Sequence, residues 1–339
     1  MNNVTLKRLA KELNLAPSTV SRSLRDSHEI SQETKDRVRA LAAKLDFQPN
    51  PHASSLRKNK SKTIAVIVPE IQNNFFSQVM SGVEEVAQQK GYHILIYLTH
   101  ENNQRESEIL HLLKNGRVEG VMISVSNTTK SFEHLEACRE ANIPLIFFDR
   151  VYDGMDVPCV TTDDTEASFL ATEHLIKNGC KKIAFLSMSE SLSISCRRKS
   201  GYLNALTKHG MQDTQVTVEC GPDDESNRQK IRVLLQSDQR PDGIFAAVEK
   251  FAVNSYEVCR ELKLEIPGQV QVISFSNLSA AALFDPPLST IVQPAYDIGR
   301  ESAAVLCKII DNKKLFEAEK KIVLPSEIVI RASTKSQGK

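Results

Sequence analysis

Over the first fifty residues the apolar positions recur at helical spacing. Leu6, Leu9, Ala10 and Leu13 fall at i, i+3, i+4 and i+7, which turns one face of a short helix toward a core. Thr5 precedes them as an N-cap residue. Asn14-Leu15-Ala16 breaks the pattern, and Pro17 fits the first position of a second helix, where its missing N–H costs nothing. In that helix Val20 and Leu24 point one way; Ser18, Arg22 and Arg25 point the other, with Ser21 beside them. A third helix starts near Ser31 and carries Val38, Leu41, Ala42 and Leu45. The pattern predicts three short helices around a small core, a helix-turn-helix arrangement. Residues 49–62, PNPHASSLRKNKSK, are polar and basic with two prolines and read as a linker.

Beyond Lys62 the period changes. Ile64–Val68 is an uninterrupted apolar run of the kind that buried parallel strands give. Further strands are expected at Ile94–Leu98, Val121–Ser124, Leu145–Phe148, Ile183–Leu186, Gly243–Ala247 and Val270–Phe275. Helical stretches lie between them: Phe76–Lys90, Glu106–Asn115, Phe132–Asn142, Thr165–Asn178, Arg198–His209, Arg228–Gln236 and Ala252–Leu262. Alternating βα units mean parallel sheets with crossover helices, hence an α/β fold. The expected organisation is a head at 1–48, a linker at 49–62, and two similar lobes, 63–161 with 291–323 and 162–290 with 324–339.

Charge changes this picture more than composition does. The chain has 339 residues and a net charge of +1, which by itself argues against a polyanion partner. The first 62 residues, however, hold thirteen Lys and Arg against six Asp and Glu, a net of +7, and the remaining 277 carry −6. A basic head on an acidic body is the footprint of a nucleic-acid-binding module. The second helix suits a groove. Ser18, Thr19 and Ser21 are short, so the helix can approach closely, and hydroxyls suit phosphate oxygens. Arg22 is a forked donor able to pair with guanine O6 and N7. The competing reading is a three-helix cap that packs on something else.

Other chemistry is not signalled. Seven scattered cysteines without a CxxC pair do not suggest a disulfide framework or a zinc site. GxGxxG, GxxxxGK[ST], HExxH and GxSxG are absent, and the eight histidines lack metal-ligand spacing. No catalytic residue, metal or cofactor is therefore expected. No apolar run reaches the ~18 residues of a membrane span. The first residues, Met1–Lys7, do not resemble a signal peptide, so a cytoplasmic, nucleoid-associated protein without a membrane partner is expected.

Three strings carry a resemblance. Val4-Thr5-Leu6-Lys7-Arg8-Leu9-Ala10, Pro17-Ser18-Thr19-Val20-Ser21-Arg22-Ser23-Leu24 and Phe47-Gln48-Pro49-Asn50-Pro51-His52-Ala53 resemble the headpiece of the lactose-repressor (LacI/GalR) family. The likeness continues to the last strand. It implies a bacterial transcription regulator whose two-lobed core is like the periplasmic binding proteins. It also implies a homodimer, double-stranded operator DNA of roughly palindromic sequence, and a small-molecule effector in the interlobe cleft. By resemblance Pro17, Ser18 and Arg22 face base edges, and Thr5, Thr19, Ser21, Ser31 and Thr34 contact phosphates or position the helices. Asn50, His52, Ala53 and Leu56 belong to a hinge helix, with Leu56 as a wedge in the minor groove. The family usually has Ser before the Pro17 position; here it is Ala16. No leucine heptad follows the core, so a coiled-coil tetramer is not expected.

For the effector, the expected residues lie where strands end, since open α/β sheets bind ligands beyond the carboxyl ends of their strands. They are Asn74, Phe75, Phe76, Asp149, Asp163, Arg198, Glu249, Ser276 and Gln293. Asn74 stands where the family has Pro in NPFF, and Thr162-Asp163-Asp164 stands where it often has TDN. Val248-Glu249 replaces a common Asn-Asp, and Ser276 replaces an aspartate that grips hydroxyls or a base. These departures point away from a plain neutral sugar bound in the usual way and toward a sugar phosphate or related metabolite, a protein co-regulator, or no effector at all. A solute-binding protein without a DNA role is the rival, disfavoured by the basic head.

Overall fold

The computed structural model describes residues 5–24, 26–47, 61–72, 74–114, 116–127, 132–312 and 321–335. Contacts divide the chain into two units, Met1–Ser61 and Lys62–Lys339. The hinge residues expected at Asn50, His52, Ala53 and Leu56 lie outside the described residues.

The head is three helices, α1 (Leu6–Leu13), α2 (Pro17–Leu24) and α3 (Gln32–Lys44). Thr5 caps α1, its hydroxyl accepting from the Arg8 amide, and Asn14 ends the helix in a left-handed conformation. Ser31 caps α3 through the Thr34 amide. Leu9, Val20 and Val38, one from each helix, are fully buried and meet with Ala10 and Ala42 in one small core.

The second unit holds two lobes. In the first, six strands are ordered β11-β5-β4-β3-β1-β2. They are β1 (Thr63–Val68), β2 (His93–Leu98), β3 (Gly120–Ile123), β4 (Leu145–Phe148), β5 (Cys159–Thr162) and β11 (Lys321–Leu324), all paired in parallel. Period-two alternation sends Ile64, Val66 and Val68 to one core and Ala65 and Ile67 to the other, so β1 is buried on both faces. The second sheet is ordered β12-β10-β9-β8-β6-β7. It comprises β6 (Ile183–Ser187), β7 (Val216–Glu219), β8 (Gly243–Ala246), β9 (Gln271–Phe275), β10 (Ser289–Val292) and β12 (Glu327–Val329), with β12 antiparallel at the edge.

Crossover helices of the first lobe are α4 (Asn74–Gln89), α5 (Asn103–Leu113) and α6 (Glu133–Glu140). Those of the second are α7 (Asp164–Lys177), α8 (Ser193–Lys208), α9 (Asp224–Gln236) and α10 (Glu249–Glu261); α11 (Ala295–Asp311) returns to pack on α4. Among the described residues no helix is long and apolar enough to cross a membrane.

Three features differ from expectation. Ile291 and Val292 stay in the second sheet, paired with β12, and Leu324 stays in the first, paired with Thr162. The lobes therefore exchange chain after Thr162, after Val292 and after Leu324, because strand pairing holds each residue until its ladder ends. Strands β5, β7, β10, β11 and β12 and helix α11 are not among the elements named from the sequence. Strand β2 reads as a buried run, yet it is the sheet edge, and Leu95 and Ile96 are about 40% exposed (39% and 41%).

Both lobes use glycine to bring two helices together. A Cβ on Gly299 of α11 would stand 2.1 Å from the Val79 carbonyl oxygen of α4, and one on Gly201 of α8 would stand 2.1 Å from that of Thr165 in α7. Neither neighbour is a side chain that can turn away. Gly299→Ala is therefore expected to destabilise the full chain by about 1–3 kcal/mol. That loss outweighs the ~1 kcal/mol of helix propensity that alanine gains. Urea unfolding of the two proteins measures it.

Candidate functional site

In the head, burial of Val20 and Ser23 fixes the rotation of α2. Ser23 turns inward and donates to the Thr19 carbonyl at 2.9 Å. Pro17, Ser18 and Arg22 are consequently exposed, with Thr19 and Ser21 half-buried at the flanks. Ser31 is exposed and Thr34 half-buried, their hydroxyls 3.0 Å apart at the start of α3. Arg22 is engaged: its Nη1 lies 2.7 Å from Glu29 Oε2.

In the second unit the ends of β4, β8 and β9 face one cavity with the starts of α4, α8 and α10. Its lining includes Phe75, Phe76, Asp149, Arg198, Glu249, Ser276 and Gln293 of the expected set. Arg150, Ile194, Val248, Phe275 and Asn277 join them. Asn74 and Asp163 are not in the lining. Asp163 sits at the first crossing, where its Oδ1 accepts from the Ser326 amide at 2.8 Å and so ties two crossings together. A larger depression of about 660 Å³ beside Leu235, Arg240 and Leu264 is open surface remote from the strand ends.

Arg198 is 2% exposed. Its Nε donates to Asp164 Oδ1 at 2.7 Å, its Nη1 donates to the Ala247 carbonyl at 2.6 Å, and the guanidinium lies 3.7 Å from the centre of the Phe275 ring. Arg150 is also buried; Nη1 donates to Glu101 at 2.7 Å and Nε lies 3.9 Å from Asp149. Asp149 ends β4 in a left-handed conformation, φ 58°. The Ser124 hydroxyl lies 3.5 Å from its Oδ2, and the Gln293 side chain also hydrogen-bonds to it. Burial pushes its carboxyl up to about 6, against the opposing pull of Arg150 and Arg198. Across the cavity, Ser276 donates to Glu249 at 2.7 Å and holds that carboxylate in place. Two guanidiniums thus meet three carboxylates, Glu101, Asp149 and Asp164, and Glu249 stands opposite on Ser276.

The lobes are fastened across the cleft. Asn277 donates to Gln78 at 3.1 Å, Ser191 to the Asn127 carbonyl at 2.7 Å, the Val151 amide to Ser193 at 3.2 Å, and Arg197 to Asp153 at 2.9 Å. The space open to a ligand in the cleft is about 40 Å³, far below the ~300 Å³ at which small-molecule pockets begin. A ligand of sugar size reaches these groups only when the lobes part.

Two family models match the chain in sequence. "Periplasmic binding proteins and sugar binding domain of LacI family" covers residues 61–331, and "Bacterial regulatory proteins, lacI family" covers residues 5–50. The chain belongs to the lacI family. Similar relatives include catabolite control protein A of Priestia megaterium, 30% identical over 98% of this chain and 100% of that one. The ribose operon repressor of Bacillus subtilis is 31% identical over 98% and 99%. In structure, the lac repressor dimer bound to operator and an anti-inducer matches with a TM-score of 0.87 at 23% identity, over 99% of this chain and all of that one.

Within this family frame, one departure in the sequence gains a physical meaning. In Thr162-Asp163-Asp164 the family's TDN ends in asparagine; here the third residue is Asp164, the buried partner of Arg198. Sequence reasoning fixed on Asp163 and passed over Asp164. The signal was the extra charge of the triplet. Arg150 and Asn277 had only their place beside Asp149 and Ser276.

The displaced ionisation of Asp149 has a sign. Below about pH 3 it is protonated in both folded and unfolded chains and neutral in its effect. From there to about pH 6 the unfolded chain ionises first, so this residue's contribution falls as pH rises, and the penalty is complete above about 6. Asp149→Asn removes it. The variant is expected to exceed the parent in stability by up to about 3 kcal/mol at pH 8 and to match it at pH 3. Urea unfolding across that range measures the difference; a gap that does not change with pH contradicts it.

Proposed function

We propose that this chain is a sequence-specific DNA-binding transcription regulator, acting as a repressor, whose DNA affinity is set by a small molecule in the interlobe cleft. The observation that carries this reading is the outward face of α2, with Ser18 and Arg22 exposed on a unit of net charge +6. Its place of action is the cytoplasm, at the nucleoid, and it works by binding rather than by turnover. Two heads on a homodimer read a pseudo-palindromic operator, because protein two-fold symmetry is mirrored in half-sites. The exposed Leu95 and Ile96 of the β2 edge, with Leu283 (85% exposed) on the second lobe, supply apolar surface for that dimer.

The cleft favours an uncharged, hydroxyl-rich effector over the phosphorylated one that Arg198 and Ser276 suggested. Arg198 already has a carboxylate partner, so it has little net charge to offer an anion. Asp149 and Glu249 ask for donors, which hydroxyls supply. Glu249, held by Ser276, takes the place of the missing carboxylate at 276. A ribose operon repressor among the relatives is in keeping with such a ligand.

Operator sequences selected from random DNA give the first test. The full chain is expected to bind them with an affinity that falls steeply with salt. The chain lacking residues 1–61 is expected not to bind; retained affinity ends this reading. Arg22→Ala is expected to cost about 1–3 kcal/mol of discrimination at one position per half-site. For the effector, calorimetric titration with neutral pentoses and hexoses and with their phosphates separates the two ligand classes. Heat from a phosphate and from no neutral sugar reverses the assignment.

A further inference from the structure

A carboxylate beside the base-reading arginine calls for an explanation. Glu29 lies seven residues beyond Arg22, in the segment joining α2 to α3, and both side chains are about half exposed (52% and 54%). An exposed ion pair contributes only ~0–1 kcal/mol to stability. On a surface that meets phosphates, a carboxylate also repels the partner. The pair therefore has little to recommend it as a brace for the fold.

The segment carrying Glu29 is itself held. Asp26 begins it in a left-handed conformation, φ 57°, and is gripped by Lys35 at 3.1 Å and Arg39 at 2.8 Å, both from α3. Hydrogen bonding and charge from Lys35, aided by Arg39, hold that carboxyl below the usual range. The Ser27 amide donates to the Arg22 carbonyl at 3.0 Å, and the Glu29 amide donates to the Ser27 hydroxyl at 3.4 Å. Ser31 then caps α3. Glu29 is thus presented from a frame anchored on α3 and aimed at the one long side chain on the exposed face of α2.

We propose that Glu29 is a positioning residue for base recognition: it holds Arg22 by Nη1 and leaves the Nε and Nη2 edge to meet guanine. A guanidinium carries five donors in a fixed fork. Fixing one corner orients the rest. A free arginine sweeps between base edges and phosphates and pairs with either; a held one loses less rotamer freedom on meeting guanine and gains less from a stray phosphate. Glu29 trades non-specific attraction for discrimination. This inference rests on the reading of α2 as the base-reading helix.

The test uses the full chain and the selected operator, with Glu29→Gln, Arg22→Ala and the double variant. Glu29→Gln keeps the side chain's shape and removes its charge. It is expected to bind random-sequence DNA severalfold more tightly. It is also expected to lose about tenfold of the parent's preference for guanine at the position relaxed by Arg22→Ala. In the Arg22→Ala background the same change is expected to leave base preference unaltered. Uniform tightening with preference intact makes Glu29 a surface charge only and overturns the proposal. A loss of preference at a different base pair makes Glu29 itself a reader and also overturns it. Failure of Arg22→Ala to relax any position would instead count against the reading of α2.

Discussion

The guanidinium of Arg198 lies almost wholly out of water, and a charge so placed must be met where it stands. Asp164 meets it from the first turn of α7, the Ala247 carbonyl from the end of β8, and the Phe275 ring from β9. Four elements of the second lobe are thereby fixed to one side chain. Removing a partner from such a pair typically costs about 3–5 kcal/mol, because the other charge is left buried alone. The arrangement also decides what the cleft can recognise. With Arg198 answered by Asp164 and Arg150 by Glu101, the groups left facing the cavity with acceptors to spare are Asp149 and Glu249, one from each lobe. A ligand that donates to both would bridge the lobes, and the same two carboxylates repel phosphate.

The head obeys a different economy of charge. Much of its acidity is spent inside the unit: Glu12 on Arg8, Asp26 on Lys35 and Arg39, Glu29 on Arg22. The helix that presents Arg22 has its rotation fixed by Val20 and Ser23. In the proposed reading, attraction to phosphate draws on the unit's whole charge, whereas discrimination draws on the few side chains on the outward face of α2. The two functions are separable in the sequence because one depends on a sum and the other on position.

Patterns that depend on period alone were legible from the sequence. The three helices of the head, the Thr5 cap and the doubly buried β1 follow from spacing and residue type. Edge position is not local information: Ile94–Leu98 reads like any buried strand, yet among the described residues β2 has no neighbour beyond it. The brief Val216–Glu219 strand alternates over four residues, too few to stand out. In the site, residues at strand ends could be nominated, but which of two adjacent aspartates turns inward could not. Helix α7 begins at Asp164, and that start puts its side chain on Arg198 and leaves Asp163 to the crossing.

The contacts between the lobes give the cleft its mechanical character. Three crossings join the lobes on one side, stitched by Gln293 to Thr162 and by Asp163 to Ser326. Across the cleft, Asn277–Gln78, Ser191–Asn127, Val151–Ser193 and Arg197–Asp153 close it with this chain's own groups. An effector must replace these bonds as well as make its own. Only the difference in its affinity for the parted and the closed lobes can shift the balance between them. Two of these bonds are exposed and two part-buried, and each is worth only about 0.5–1.5 kcal/mol net against water, so a ligand that binds the parted and closed lobes differently can move the balance. A cleft latched by a few hydrogen bonds and lined by a buried, electrically answered core can therefore change its angle without losing its fold, which is what a regulator controlled by a metabolite requires.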